Sequence, residues 1–136
     1  MPVDKDLLRS RINDVRQAIN DVLKLTSKPY EELNLYEKYA IRYNIITLTE
    51  AFVSICIHIA SEAYNYTPSS YREAIKFVAE KIGVKSIAAL ESMVKLRNLL
   101  VHRYWSIDDE KIYNAIKEDF KCVETLINII EREFLH

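Results

Sequence analysis

A short polar segment about three quarters of the way along the chain carries the residues best suited to chemistry. Residues 97–105, with the sequence RNLLVHRYW, place an arginine, an amide, a histidine and a tyrosine in an otherwise apolar stretch. Arginine is a permanent cation whose planar fork of donors matches phosphate oxygens, and histidine exchanges a proton near neutral pH. Phosphoryl transfer without a metal ion requires charge stabilisation and proton transfer. Arg97 and His102 are therefore candidate catalytic residues, and Asn98 lies beside them.

The spacing within this segment limits how its side chains can meet. Arg97 and His102 are five residues apart, which separates them by about 140° around an ideal α-helix. Asn98 and His102, four apart, share one face. The arginine and histidine can converge only where the helix ends or bends, or where two copies of the helix meet. Taken alone, Arg97 also fits a helix-end cation near a carboxylate, and His102 a helix-terminal histidine with a satisfied hydrogen bond.

The elements that carry this segment are predicted to be helical throughout. One glycine and three prolines in 136 residues leave few turns, and apolar residues recur at helical spacing. The predicted helices run from about Asp4 to Leu25, from a cap at Asn34 to about Tyr64, from a cap at Ser70 to Gly83, from about Ser86 to about Val101, and from a cap within 106–109 through Phe134. We expect a single all-α domain over residues 1–136, an up-and-down bundle of about five helices.

Composition narrows the class of function. The net charge of −1 excludes a polybasic protein that coats nucleic acid. The segment 84–104 is nevertheless locally basic, with four lysine and arginine side chains against Glu91 alone. Cys56 and Cys122 are far apart and read as buried thiols of a reducing compartment.

Targeting and metal signals are weak in this sequence. The amino terminus has no apolar h-region, so we expect a cytoplasmic protein. The apolar run 45–60 is interrupted by polar residues and reads as a core helix. Because no metal-ligand spacing and no Gly-rich phosphate loop stands out, we expect no metal and no cofactor.

The second helix carries polar residues where a buried helix should be apolar. Arg42, Glu50, Ser54 and His58 lie in this helix, and the last three are spaced by four and form one stripe. The simpler interpretation is a hydrogen-bonded network inside the bundle. The alternative is a supporting role behind the catalytic residues, with Glu50 holding the Arg97 guanidinium.

Aromatic residues on the chain also allow two interpretations. The tyrosines at 30, 36, 39 and 43 favour helix packing and dimer contact over an RNA stacking platform. Trp105, beside the polar segment, fits either a stacking residue or a core or interface anchor.

The pattern Arg97-Asn98-x3-His102-x-Tyr104-x2-Ile107-Asp108 resembles the signature of the HEPN superfamily of metal-independent ribonucleases. More narrowly, it resembles the HepT toxin family, the partner of the MntA-type minimal nucleotidyltransferase antitoxin. The resemblance covers essentially the whole chain, because residues 39–59 also look like that family's long second helix. Many relatives carry an acidic residue where Ser54 stands, which argues against a catalytic role for this position.

The resemblance implies a homodimer in which two copies of the segment face one cleft that binds RNA. It implies internal transesterification, with His102 as acid/base, Arg97 on the phosphate and Asn98 orienting the substrate or His102. It further implies that Tyr104 receives AMP from the antitoxin, which would place anionic phosphates beside Arg97 and His102. Tyr104 alone fits equally a half-buried aromatic residue whose hydroxyl has a partner.

Two functions of different class follow from the sequence. The first is a ribonuclease toxin that acts on RNA and is neutralised by a cognate nucleotidyltransferase. The second is a catalytically inactive helical dimer that only binds such a partner. The intact Arg97 and His102 pair favours the enzyme.

Overall fold

The computed structural model describes residues 3–103 and 106–136. The helices in these ranges are α1 (Lys5–Leu25), α2 (Leu35–Tyr64), α3 (Tyr71–Ile82), α4 (Ile87–His102) and α5 (Asp109–Phe134), with a 3₁₀ turn at Tyr30–Glu32. No strand occurs in the described residues. The all-α bundle predicted from the sequence is confirmed, and the helices begin and end almost where predicted. Tyr104 and Trp105, both singled out above, lie outside the described residues.

The helix starts were predictable because their caps are local in sequence. At the start of α2, the Asn34 side chain accepts the Glu37 N–H at 2.8 Å, and the Glu37 carboxylate accepts the Asn34 N–H at 2.9 Å. This reciprocal capping box satisfies two donors that the helix leaves free. At the starts of α1, α3 and α5, a side chain also accepts a backbone N–H. The accepting side chains are those of Asp4, Ser70 and Asp108.

The α2 helix is the centre of the bundle. It packs against all four other α-helices. Its most apolar 18-residue window has a mean hydropathy of 1.5, so α2 could cross a membrane by length and composition, but 56% of that window is buried in the bundle. This agrees with the core helix predicted from the sequence. Cys56 of α2 is buried as predicted, whereas Cys122 is only half-buried because it flanks the buried stripe of α5.

Contacts between α1 and α5 fix which end of the bundle holds the polar segment. The Tyr113 hydroxyl, near the start of α5, donates to the backbone oxygens of Thr26 and Lys28 just after α1, at 3.2 and 2.6 Å. Near the other end of α5, Glu131 pairs with Arg16 of α1 at 2.6 Å. The two helices are therefore antiparallel. The segment that leaves α4 and enters α5 lies at the end of the bundle where α1 ends and α2 begins.

Candidate active site at the end of helix 4

Arg97 is held in a defined orientation by three neighbours. Its Nη1 donates to the Asn98 Oδ1 at 3.1 Å, and its Nη2 lies 3.7 Å from the Glu50 Oε1. The guanidinium carbon also lies over the Tyr71 ring, 5.5 Å from the ring centroid, within the range of a cation–π interaction. Only 18% of the Arg97 side chain is exposed. An arginine fixed in this way has lost part of its side-chain freedom before any ligand arrives.

The hydrogen-bonding capacity of the guanidinium is not exhausted by these contacts. The 3.7 Å separation from Glu50 is longer than a hydrogen bond, so the carboxylate acts as a nearby charge and not as a bidentate clamp. The buried Nε has no partner among the described residues. A ligand cannot reach the buried Nε, but Nη1 and Nη2 make one hydrogen bond among the described residues and keep N–H donors for an anion such as a phosphate.

The structure brings Glu50 to Arg97, as the second of the two interpretations of the α2 stripe expected. The stripe does not form one shared buried network, because Glu50 is exposed and lies beside Arg97 while His58 bonds to Asp4, the cap of α1. The Glu50 side chain is 46% exposed, and Ser54 one turn later is half-buried. A carboxylate on this open face keeps much of its hydration, so it does not carry the cost of a buried charge.

His58, the third residue of the stripe, contacts the start of α1 and not Arg97. Its Nε2 accepts the backbone N–H of Asp4 at 2.9 Å. This bond fastens the start of α1 to α2. Arg97 is in contact with Glu50, Asn98 and Tyr71, and His58 is not one of its partners in the described chain.

His102 is the last residue of α4 and is exposed. Its imidazole has no hydrogen-bond or ionic partner among residues 3–103 and 106–136. Asn98 lies one helical turn earlier and is also exposed, so the two side chains share one open face of α4. An imidazole on this surface is accessible to solvent and to a bound substrate.

Arg97 and His102 do not converge through a bend or an end of the helix. Both belong to the continuous helix Ile87–His102, which keeps them about 140° apart around its axis. Within one copy, α4 therefore does not bring the two side chains to one face.

The chain on either side of Tyr104 and Trp105 is anchored. Ser106 donates its N–H and its hydroxyl to the Arg103 carbonyl, at 3.0 and 2.9 Å. Just beyond, Asp109 at the start of α5 receives two hydrogen bonds from Arg42 of α2, at 2.8 and 2.7 Å. The start of α5 is therefore fixed against α2.

Tyr71 is the contact of Arg97 that sequence reasoning missed. It is the first residue of α3, directly after the Ser70 cap. No periodic pattern marks it, because its partner lies on another helix. A groove of 470 Å³ begins at this tyrosine and is lined by residues of α1 and α2 that include Glu50 and Ser54.

The remaining reactive groups give no second centre. Burial raises the pKa of the Cys56 thiol to about 12, so this thiol stays protonated and unreactive. Across the described ranges, no group of three or more His, Cys, Asp and Glu side chains is arranged to hold a metal ion.

Comparison with known proteins assigns the family. A family model for HepT-like ribonucleases matches residues 13–132. The chain belongs to the HepT-like ribonuclease family. The match spans α2, α3 and α4 in full and most of α1 and α5, and it includes the α4 segment with Arg97 and His102. The resemblance seen in the sequence is confirmed.

Individual relatives agree with this assignment. A Methanocaldococcus jannaschii protein named as a candidate RNase is 27% identical over 123 residues, covering 90% of this chain and 95% of that protein. A chain of a toxin–antitoxin complex crystallised with AMP-PNP superimposes with a TM-score of 0.84 at 19% identity, covering 94% of this HepT-like chain and 99% of that one. A complex of a tri-AMPylated Shewanella oneidensis HEPN toxin with its MNT antitoxin gives a TM-score of 0.80 at 21% identity, covering 96% of this chain and 100% of that one. These structures share the fold.

Proposed function

We propose that this HepT-like protein is a metal-independent endoribonuclease that acts as the toxin of a toxin–antitoxin pair in the cytoplasm. The observation that carries the proposal is the end of α4, where an oriented Arg97 and an exposed His102 occur in the spacing of the family signature. Membership of a ribonuclease family supports RNA as the substrate.

The reaction is an internal transesterification of RNA. A base removes the proton of a ribose 2′-OH, whose oxygen forms a bond to the adjacent phosphorus while the bond from phosphorus to the 5′-oxygen breaks. An acid protonates the departing 5′-oxygen, which leaves a 2′,3′-cyclic phosphate and a 5′-OH end. His102 supplies acid/base catalysis, Arg97 stabilises the charge on the phosphate oxygens, and Asn98 orients the substrate or the imidazole.

Two copies of the chain are needed for this site. Within one α4 helix, Arg97 and His102 point about 140° apart, so one helix does not present both groups to the same phosphate from a single face. A homodimer that brings two α4 ends together places an arginine from one copy near a histidine from the other. The proposed cleft is therefore the dimer interface.

Cleavage without a divalent ion tests the enzyme. We expect the purified protein to cut RNA in excess EDTA and to leave cyclic phosphate ends. These ends should resist polyadenylation until the ring is opened and the phosphate is removed to leave a 3′-OH. His102→Ala should reduce the rate by about a hundredfold or more, the usual contribution of a general acid/base. Because His102 is exposed, the variant should keep its thermal stability and its dimer mass by light scattering.

Two results would overturn this proposal. Unchanged cleavage by a folded His102→Ala dimer would remove the catalytic assignment. Absence of any cleavage by the wild-type dimer, together with tight binding of a nucleotidyltransferase, would favour the inactive partner-binding module.

We further propose that a cognate MntA-like nucleotidyltransferase neutralises the enzyme by transferring AMP from ATP to the Tyr104 hydroxyl, with release of pyrophosphate. The modification of the Shewanella oneidensis toxin supports this expectation. Each AMP adds a phosphate close in sequence to Arg97 and His102, and this anion competes with RNA for the same cations. Incubation with the antitoxin and ATP should add the mass of one or more AMP groups and suppress cleavage. Equal modification of a Tyr104→Phe protein would refute the site.

A further inference from the structure

A groove beside Arg97, lined by both polar and apolar side chains, has no role in the proposed reaction. It lies among α1, α2 and the first turn of α3, and its volume is 470 Å³, within the range of about 300–1,000 Å³ typical of small-molecule sites. Its polar lining consists of Arg11, Asp14, Thr47, Glu50, Ser54 and Tyr71. Two of these residues, Glu50 and Tyr71, are also the residues that hold the Arg97 guanidinium. The groove and the candidate phosphate-binding arginine therefore share a wall.

The charge of the groove indicates which part of a nucleotide fits there. Arg11 and Asp14 neutralise each other at a separation of 3.5 Å, and Glu50 adds a second carboxylate. A groove with two carboxylates and one arginine does not attract a phosphate chain. Carboxylate and hydroxyl oxygens instead accept hydrogen bonds from the amino and imino groups on the edge of a nucleobase.

Tyr71 supplies the stacking surface that such a base requires. The guanidinium of Arg97 covers its ring at 5.5 Å, yet 37% of the residue remains exposed at the groove. Proteins that read single-stranded RNA stack an unpaired base on an aromatic ring and bond its edge to polar side chains. The groove offers both an aromatic ring and polar side chains, and both lie next to Arg97.

We propose that this groove holds the nucleobase next to the phosphate bound by Arg97, and that Tyr71 both stacks on this base and positions the Arg97 guanidinium. The inference rests on the proposed function, because it takes RNA to be the ligand of Arg97. It assigns Tyr71 and the groove to substrate binding, and it predicts that a base with an exocyclic amino group binds better than uracil.

Binding can be measured separately from cleavage. The probe is a 2′-O-methyl oligonucleotide with a single 2-aminopurine, which cannot undergo 2′-OH attack and whose fluorescence falls when the base stacks. The wild-type dimer should quench it. Tyr71→Leu should weaken binding by about five- to a hundredfold, the range for loss of one base–aromatic stack, and Tyr71→Phe should restore it to within about twofold.

The matched control is Tyr64→Leu. Tyr64 is 38% exposed and also lies beneath a cation, the Lys81 Nζ at 5.6 Å, but it does not line the groove. A fold effect of losing an exposed tyrosine should appear equally in both leucine variants. A second groove variant, Ser54→Leu, fills the cavity without replacing a contact of Arg97, and it should raise the KM for RNA cleavage while kcat stays near the wild-type value. Tyr71→Leu should lower kcat as well.

The outcomes distinguish a failure of the groove assignment from a failure of the proposed ribonuclease activity. If the wild type cleaves RNA and Tyr71→Leu behaves like Tyr64→Leu, the groove assignment fails and the enzyme stands. If the wild type does not cleave but quenches the probe in a Tyr71-dependent way, the base site stands and the enzyme fails. Filling of the groove by the second copy of the dimer would appear as unchanged probe binding in Ser54→Leu, which also refutes the assignment.

Discussion

Two histidines of this chain have different roles because their side chains have different surroundings. His102 ends α4 with an exposed imidazole, whereas the His58 Nε2 accepts the Asp4 N–H at 2.9 Å and holds the start of α1. Both appeared as site residues in the sequence. Only the coordinates separate them, because the partner of His58 lies 54 positions away along the chain and no local pattern reveals it.

Their substitution should therefore give opposite results. His58→Leu removes one acceptor and should lower the free energy of unfolding by about 0.5–1.5 kcal/mol, the net contribution of a typical hydrogen bond, with RNA cleavage retained. His102→Ala should reduce cleavage by about a hundredfold or more and leave stability unchanged. Urea unfolding and an RNA cleavage assay on both variants check this pair. Loss of cleavage in a stable His58→Leu protein would return His58 to the site.

At the scale of elements, the sequence predicted what is local and missed what is not. Caps such as Asn34 with Glu37 involve residues three apart, so the bounds of the helices could be predicted from the sequence. The outward direction of the α2 stripe was not, because a polar stripe on a long apolar helix fits either a buried network or an open face. The packing of other helices around α2 decides between them. Glu50 could be proposed as a neighbour of Arg97 because it belongs to the polar stripe. Tyr71 could not be found because it lies on another helix and belongs to no sequence pattern.

An ion pair between α2 and α5 holds the start of α5, just after the junction with α4. Arg42 of α2 donates two hydrogen bonds to Asp109, and both side chains are largely buried. Hydrogen bonds to charged groups contribute about 1.5–3 kcal/mol. We expect Asp109→Ala to lower the free energy of unfolding by an amount in this range.

Glu110→Ala is the control for this prediction. Glu110 is exposed and lies in the same first turn of α5, so both variants lose a carboxylate that stabilises the helix start. Only the Asp109 variant also loses the contact with α2. Equal destabilisation of the two variants by urea unfolding would show that the junction adds nothing beyond the helix dipole.

At the scale of the whole molecule, α2 exposes aromatic side chains on the surface of the described chain. Among the tyrosines read as helix packing and dimer contact, Tyr30 packs edge-on against Tyr113 with ring centroids 5.5 Å apart. Tyr36 and Tyr43 are 79% and 66% exposed on α2. Exposed aromatic residues are enriched at protein interfaces. A second copy of the chain, as in the proposed homodimer, is the occupant we expect for this surface.

The acid response of the molecule follows from the pair that joins α1 to the end of α5. Hydrogen bonds from Arg16 lower the pKa of Glu131, so the carboxylate binds protons less readily folded than unfolded. The stabilisation is therefore fully present above the unfolded pKa of about 4.3 and is lost as the pH falls through the folded value. Glu131→Gln should be less stable than the wild type at pH 7, by about 0.2–1 kcal/mol for so exposed a pair, and the difference should close in strong acid.

Urea unfolding of both proteins at pH 7 and near pH 2.5 measures this difference. Glu133→Gln is the matched control, since Glu133 lies in the last turns of the same helix with only a 3.9 Å contact to the adjacent Arg132. Salt should narrow the gap at pH 7, because the pair is open to solvent and screened by ions. A Glu131→Gln deficit that persists unchanged in acid would mean that packing of the side chain, and not its charge, holds α1 against the end of α5.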